Sequence, residues 1–139
     1  MVHSSHIFAV LRYRDPRAAI GFLVKAFGFE LMNQIEGPDG EIVHAELRFG
    51  VDMVMVGGFS PEILASGRTA SGGAGGMYLS VRFVDGHHDK SVAVGAKVTR
   101  PLEDTEYGSR QYSCRDLEGY EWTFGTYDPL GEDGKVADA

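Results

Sequence analysis

The sequence is poor in the features that mark secreted and membrane proteins. Its one cysteine, Cys114, cannot form a disulfide within the chain, and an absence of disulfides is typical of a reducing compartment. No apolar run approaches the roughly 20 residues that a transmembrane helix needs. Residues 1–6 contain neither the basic nor the apolar region of a signal peptide. We therefore expect a cytoplasmic protein with no membrane partner.

Basic residues are also scarce. The sequence has 13 Lys and Arg and 20 Asp and Glu, which give a formal net charge of -7. Nucleic acids attract basic surfaces, so this balance predicts no nucleic-acid partner. A chain of 139 residues has the length of one domain. We predict a single domain over 1–139, with a first module at about 5–57, a glycine-rich linker at about 58–75, a second module at about 76–127 and a polar tail at 128–139.

The first module is predicted to be a strand, a helix and three further strands. Residues 7–13 form a β-favouring run, and Asp15 and Pro16 then give the N-cap and the first position of a helix. Apolar residues recur at the spacing of one buried helical stripe until Gly28, a helix-ending glycine. The following strands are predicted at about 29–36, 41–49 and 52–56.

The second half of the chain repeats the sequence signals that start and end the first helix. Leu11-Arg-Tyr-Arg-Asp15 is echoed by Val81-Arg-Phe-Val-Asp85, and Gly95 repeats the glycine that ends the first helix. Matched start and stop signals indicate a duplicated unit. The linker between the halves is interpreted either as a lid or as a plain connection, with one helical turn at 61–65. A helix is predicted at about 86–94, and strands at about 97–101, 109–115 and 119–127.

Two further features belong to the second module. The plausible inward face of its helix holds only His88, Val92 and Gly95, while His87 and His88 together indicate a solvated helix start. The last two strands form a predicted hairpin around a turn at Asp116-Leu-Glu-Gly119. Along the final strand Trp122 and Phe124 point to one side, as a helix-packing face would, and Glu121 and Thr123 point to the other.

These elements resemble the vicinal oxygen chelate superfamily, which includes glyoxalase I, extradiol dioxygenases, fosfomycin-resistance enzymes and bleomycin-resistance proteins. The resemblance lies in Arg12-Tyr-Arg-Asp-Pro16 through Phe27-Gly-Phe29, in Gly95-Ala-Lys97, and above all in Arg115-Asp-Leu-Glu-Gly-Tyr-Glu-Trp122. The last stretch is similar to the superfamily's Asp-Pro-Asp-Gly-Asn signature. The resemblance implies an α+β fold of tandem βαβββ modules that form a curved mixed sheet, with a concave ligand cleft, helices on the convex face and a homodimeric assembly.

The resemblance also says where metal-dependent members hold their metal. The corresponding positions are Phe8 on the first strand, Gly76 or Met77 in the second module, Thr123 on the final strand, and 54–56 on strand four. Divalent metals bind His, carboxylate or Cys side chains, and none of these occupies the positions. The chain is therefore closest in character to metal-free, bleomycin-resistance-like members, and we predict no metal and no cofactor.

The candidate ligand-binding residues share strand faces. His44, Glu46 and Arg48 alternate with apolar residues on strand three, so they point to one side. Three interpretations stay open: ligand contacts, a structural or dimer surface, and a metal site or a base with its orienting partner. On the second module the candidates are Tyr78, Ser80, Glu121, Thr123, Tyr107 and Arg110. Arg110 fits an anionic ligand group by a two-pronged hydrogen bond, or simply neutralises neighbouring carboxylates.

The expected function is metal-independent binding, including sequestration, of a small aromatic or polycyclic molecule. The resemblance implies an apolar cup for this molecule, edged by Phe8, Met53, Met55 and Tyr78. A rival hypothesis is a lyase or isomerase that uses His44 with Glu46, or a metal-dependent enzyme of the glyoxalase or dioxygenase type. A third is a structural or regulatory partner protein with no small ligand.

Overall fold

A computed structural model of the protein describes residues 6–67 and 76–131, and it confirms the predicted element order in both halves. Residues 68–75 of the predicted linker and residues 132–139 of the predicted tail lie outside the described residues. The first half contains β1 (Ala9–Arg12), α1 (Pro16–Phe22), β2 (Glu30–Glu36), β3 (Ile42–Phe49) and β4 (Asp52–Gly57). Then come α2 (Pro61–Ala65), β5 (Gly76–Ser80), α3 (Val84–Val94), β6 (Lys97–Asp104), β7 (Arg110–Arg115) and β8 (Glu121–Gly125).

The fold is α+β, with two four-stranded mixed sheets. The first sheet has the order β1-β4-β3-β2 and the second the order β5-β8-β7-β6. In each, the first strand runs parallel to the last strand of its module, and the other pairs are antiparallel. The chain divides into two compact units, and the second of them takes in Lys25–Phe27 as well as the second half of the chain. No helix in residues 6–67 and 76–131 is long and apolar enough to cross a bilayer.

Helix α1 begins and ends as its sequence predicts. The Asp15 carboxylate accepts a hydrogen bond of 3.1 Å from the Ala18 amide, and Pro16 occupies the first turn, where no amide donor is needed. After Phe22 the helix widens into one π-helical stretch, Leu23–Phe27. It ends at Gly28, whose φ of 90° is in the left-handed region that favours glycine.

The core of the first unit lies between α1 and one face of its sheet. Alternate residues of the central strands are buried on that face, among them Ala45, Leu47 and Val56, and α1 contributes Ala19 and Ile20. The residues between them point to the opposite side. We call the face opposite the helix of the same unit the distal face.

The core of the second unit is built from aromatic rings. Trp122 and Phe124 are fully buried, as the hairpin pattern predicts, and the Phe27 ring lies 5.3 Å and 4.8 Å from them between centroids. The predicted turn is also present, because Asp116 accepts a hydrogen bond from the Trp122 indole and another from the Tyr120 amide. Burial raises the pKa of the neighbouring Cys114 thiol to about 12, so this cysteine is an unreactive core residue.

Helix α3 presents the predicted face to its sheet only in part. Val84 and Ser91 are buried, whereas Val92 is 44% exposed. The prediction is therefore wrong for Val92, whereas the His88 ring lies 5.0 Å from the ring of the buried Tyr112 between centroids. The buried side of this helix is largely polar, so a hydrophobic stripe does not reveal it.

Candidate functional site

The distal face of the first sheet is divided into an apolar half and a polar half. On the apolar side Val10 of β1 lies directly opposite Met55 of β4. Glu46 of β3 lies opposite Met55 on one side and opposite Asn33 of β2 on the other. Cross-strand partners share a face of the sheet, so one row changes from apolar to polar across all four strands.

Most of the predicted residues of the first module lie together on this distal face. Met53 and Met55 are half-buried on β4, and Phe8, which is 40% exposed, directly precedes β1 with the same alternation as Val10. The polar side consists of the predicted residues His44, Glu46 and Arg48. Val10 was not among the predicted residues, although the two-residue period that selects Phe8 also selects Val10.

His44 and Glu46 form a hydrogen-bonded pair on β3. His44 Nε2 lies 3.0 Å from Glu46 Oε2, and the two side chains are 33% and 30% exposed. An ionised carboxylate only accepts hydrogen bonds, so Nε2 holds the proton and, in the neutral ring, Nδ1 is an acceptor. Arg48 is engaged separately, at 3.5 Å from the Glu30 carboxylate. The pair therefore has the chemistry of a base held in one tautomer by its partner.

The distal face of the second sheet is polar and gathers four predicted residues. Tyr78 lies opposite Thr123, Gly76 opposite Glu121, and Ser80 opposite Gly125. The hydroxyls of Thr123 and Ser113 lie 2.7 Å apart across β7 and β8. Ser113 was not predicted, although its alternation with the buried residues on both sides of it places it on this face.

Tyrosines crowd one end of this face. Tyr78 Oη and Ser80 Oγ both donate to the Tyr127 carbonyl, at 2.7 Å and 2.8 Å. Burial raises the pKa of Tyr78, so its hydroxyl stays a neutral donor. Tyr107 donates to the Gln111 side chain at 3.0 Å, and its ring meets the edge of Tyr127 at 5.7 Å between centroids. Tyr107 is 62% exposed, which leaves its ring accessible.

Arg110 does not join the distal face. It lies two residues before the buried Tyr112 and so points to the helix-covered side of β7. Its guanidinium donates to Asp85 at 2.8 Å and to Asp104 at 3.4 Å, and the hydrogen bond and charge of Asp85 raise its pKa. This geometry supports the interpretation that Arg110 neutralises neighbouring carboxylates, and it does not support a contact with a ligand.

A buried polar cluster lies under α3, on the helix-covered side of the second sheet. His87 Nε2 lies 2.9 Å from the Phe27 carbonyl, and Nδ1 lies 2.6 Å from Tyr112 Oη. Tyr112 Oη is also 2.9 Å from Ser91 Oγ, which donates to a backbone carbonyl of the π-helical stretch. Burial lowers the pKa of His87 and raises that of Tyr112. The predicted solvated helix start is therefore wrong for His87, because its partners come from a distant part of the sequence.

Metal-binding chemistry has little support in the placement of side chains. Within residues 6–67 and 76–131, no three His, Cys, Asp or Glu side chains come together in a group that could hold a metal ion. The His44 and Glu46 pair supplies two such groups, and the residue opposite Glu46 on β4 is Met55, which is not a usual ligand of these metals. Catalytic metal sites commonly need three protein ligands.

Known proteins of similar sequence and structure point to one family. The family model described as the Glyoxalase/Bleomycin resistance protein/Dioxygenase superfamily matches residues 4–124. An uncharacterized protein of Mycobacterium bovis is 32% identical over 115 residues, which are 80% of this chain and 76% of the relative. The crystal structure of TioX from Micromonospora sp. ML1 is 37% identical, with a TM-score of 0.68 over 88% of this chain and 98% of the other. A superfamily member from Sphaerobacter thermophilus is 22% identical, with a TM-score of 0.70 over 88% and 97% of the two chains, which shows the fold alone.

Proposed function

Since the chain belongs to the glyoxalase/bleomycin resistance protein/dioxygenase superfamily, we propose that it binds a small aromatic or polycyclic molecule without a metal, as bleomycin-resistance proteins do. Superfamily membership alone does not select among the activities in its name, because one scaffold hosts unrelated chemistries. The choice therefore rests on the residues of the candidate site.

One observation carries the proposal. On the first distal face, an apolar strip of Val10, Met53 and Met55 adjoins the polar side chains of His44 and Glu46. Binding sites for small molecules are mostly apolar, with a few placed polar groups that orient the ligand. Methionine is polarisable and makes favourable contacts with aromatic rings. The strip suits a flat ring system with one polar edge.

The residues at the positions implied by the family resemblance also favour binding without a metal. Phe8 before β1 and Thr123 on β8 correspond to positions at which metal-dependent members hold ligands, and neither side chain is a usual ligand of a catalytic metal. Binding alone is enough to sequester a toxic compound. We therefore propose a cytoplasmic sequestering protein, acting as a homodimer.

The test measures ligand affinity and metal dependence together. We expect planar aromatic compounds to raise the melting temperature of protein dialysed against EDTA, in a concentration-dependent way. Addition of Zn, Ni, Mn or Fe(II) should leave this shift unchanged, and elemental analysis of the purified protein should find no metal near one per chain. A stoichiometric metal, or a ligand effect that needs one, would contradict the proposal and move attention to His44 and Glu46.

The hydrogen bond between His44 and Glu46 favours a second candidate, an acid–base lyase or isomerase. The two functions respond differently to His44→Ala. A binding protein should keep most of its affinity, whereas an enzyme that uses His44 as its base should lose turnover by about 10²-fold or more. The matched control is His88→Ala, because His88 lies on α3 in the other unit.

A further inference from the structure

Several hydrogen-bonding groups of the first distal face are engaged within the protein. The Nε2 proton of His44 is directed to Glu46, and Arg48 is paired with Glu30. The side-chain oxygen of Asn33 accepts from the Gln34 amide. Among residues 6–67 and 76–131, no group hydrogen-bonds to His44 Nδ1. Beside the remaining acceptor sites of the Glu46 carboxylate, this face therefore offers a half-buried acceptor at Nδ1 whose lone pair is fixed by the tautomer.

The surroundings of this acceptor determine what happens when a ligand covers it. A ring lying on Met55 and Val10 has its edge on the β3 side, because Met55 is directly opposite Glu46 in the row that continues to Val10. Such a ligand takes water away from the polar row that borders the methionines. Leaving a buried acceptor without a donor is unfavourable, whereas supplying a donor gives a net gain. A ligand with a donor on that edge is therefore selected over one without.

We infer that the ligand is a hydroxylated or N–H-bearing aromatic compound, whose ring lies on the methionine strip and whose O–H or N–H donates to His44 Nδ1. The inference rests on the proposed function and names the ligand class for the same site. Glu46 acts as a positioning residue, because its carboxylate holds the proton on Nε2 and so keeps Nδ1 free to accept.

The experiment compares 2-naphthol with 2-methoxynaphthalene by titration calorimetry at pH 7.5. The two probes have the same ring system and differ in the donor. We expect the wild-type protein to bind 2-naphthol more tightly by roughly 2- to 10-fold, which is the value of one net hydrogen bond. Both probes should bind measurably, because the ring contacts are common to them.

Two variants test the assignment to His44. His44→Phe removes the acceptor and keeps a flat ring, so the preference for 2-naphthol should disappear while both probes still bind. Glu46→Gln keeps His44 but removes the carboxylate that holds the proton on Nε2. The preference for 2-naphthol should therefore fall without being lost. His88→Phe is the matched control, since it makes the same substitution on α3, and the wild-type preference should persist there.

The outcomes separate this inference from the proposed function. If wild-type protein binds both probes equally tightly, the donor inference is overturned and aromatic binding stands. If the preference for 2-naphthol survives His44→Phe, another group accepts the hydrogen bond from the hydroxyl, and the assignment to Nδ1 is overturned. If neither probe binds at the limit of its solubility, aromatic binding on this face is wrong, and the donor inference is lost with it.

Discussion

Gly125 shows how one missing side chain shapes the distal face of the second sheet. A methyl group at this position would come within 2.6 Å of the Tyr78 hydroxyl and 2.9 Å of Gln111 Cβ. The Tyr78 ring therefore lies across the bare backbone of β8, where its hydroxyl reaches the Tyr127 carbonyl. Glycine at this point lets a tyrosine form part of the surface of the candidate site.

We predict that Gly125→Ala lowers the free energy of unfolding by about 1–3 kcal/mol, as overpacking of a close contact typically does. The measurement is urea denaturation at equilibrium. Gly86→Ala is the control, because a methyl group there would meet no atom within 4 Å and Gly86 lies inside α3. Alanine in a helix is favoured over glycine by about 0.5–1 kcal/mol, so this variant should be slightly more stable than the wild type. Equal stabilities for both variants would show that Tyr78 does not lie over Gly125.

For single residues, the sequence predicts well which face of a strand a side chain occupies, but it predicts poorly which group that side chain contacts. Alternation along a strand is a local property, so the common face of His44, Glu46 and Arg48 follows from their spacing. The same rule places Arg110 and its sequence neighbour Gln111 on opposite faces of β7. The partner of Arg110 on α3, Asp85, comes from another element, and no local pattern identifies it.

Among the elements, α3 is held to its sheet by hydrogen bonds as well as by apolar packing. His87 is held between the Phe27 carbonyl and the Tyr112 hydroxyl, and its ring lies 4.1 Å from the Phe124 ring between centroids. Lys90 on the same helix adds a positive charge that also disfavours the imidazolium. The attachment of α3 therefore depends on a histidine that is favoured in its neutral form.

We predict that acid weakens the fold through His87. Its pKa is lowered in the folded state from the ordinary value of 6.5, so its contribution to stability is fully present above about pH 6.5 and is lost as the pH falls towards the folded-state pKa. Tyr112, whose pKa is raised, stays neutral throughout this range. The measurement is the free energy of unfolding at pH 7.5 and at pH 5.0.

The comparison uses His87→Gln, which cannot titrate, and His88→Gln as the control on the same helix. The loss of stability on acidification should be smaller in His87→Gln than in the wild type and unchanged in His88→Gln. An identical loss in wild type and His87→Gln would show that other groups cause the acid sensitivity.

The two helices differ in how far their sequences predict them. Helix α1 follows from local signals, because its cap at Asp15, its apolar stripe and its terminating Gly28 all lie within the helix itself or at its ends. Helix α3 presents His87 and Ser91 to the interior, and their partners lie on the π-helical stretch and on β7. Burial of a polar side chain depends on those distant partners, so hydrophobic periodicity does not reveal His87 and Ser91 and wrongly selects Val92.

At the scale of the whole molecule, the repeated element order suggests two interchangeable halves, yet their contents are unequal. The second unit includes Lys25–Phe27 from the end of the first helix. Phe27 supplies both a ring to the core of Trp122 and Phe124 and a carbonyl to His87. The second half of the chain therefore does not contain all of its own core.

We predict that a fragment of residues 72–139 does not unfold cooperatively, because it lacks Phe27 and leaves its aromatic core open to water. The measurement is thermal denaturation followed by near-ultraviolet circular dichroism. The control is the full-length chain with a protease site inserted at 68–75 and cleaved after folding, which retains Phe27 and should keep a single sharp transition. A sharp transition in the isolated fragment would show that Phe27 is dispensable.

The π-helical end of the first helix also determines where this chain can be recombined with its relatives. A crossover in the glycine-rich linker would separate Trp122, Phe124 and His87 from the Phe27 with which they pack. A crossover before Lys25 would keep them together. Any contiguous segment that keeps these contacts must therefore begin inside the first helix, and it carries with it residues 28–71, which belong to the first unit.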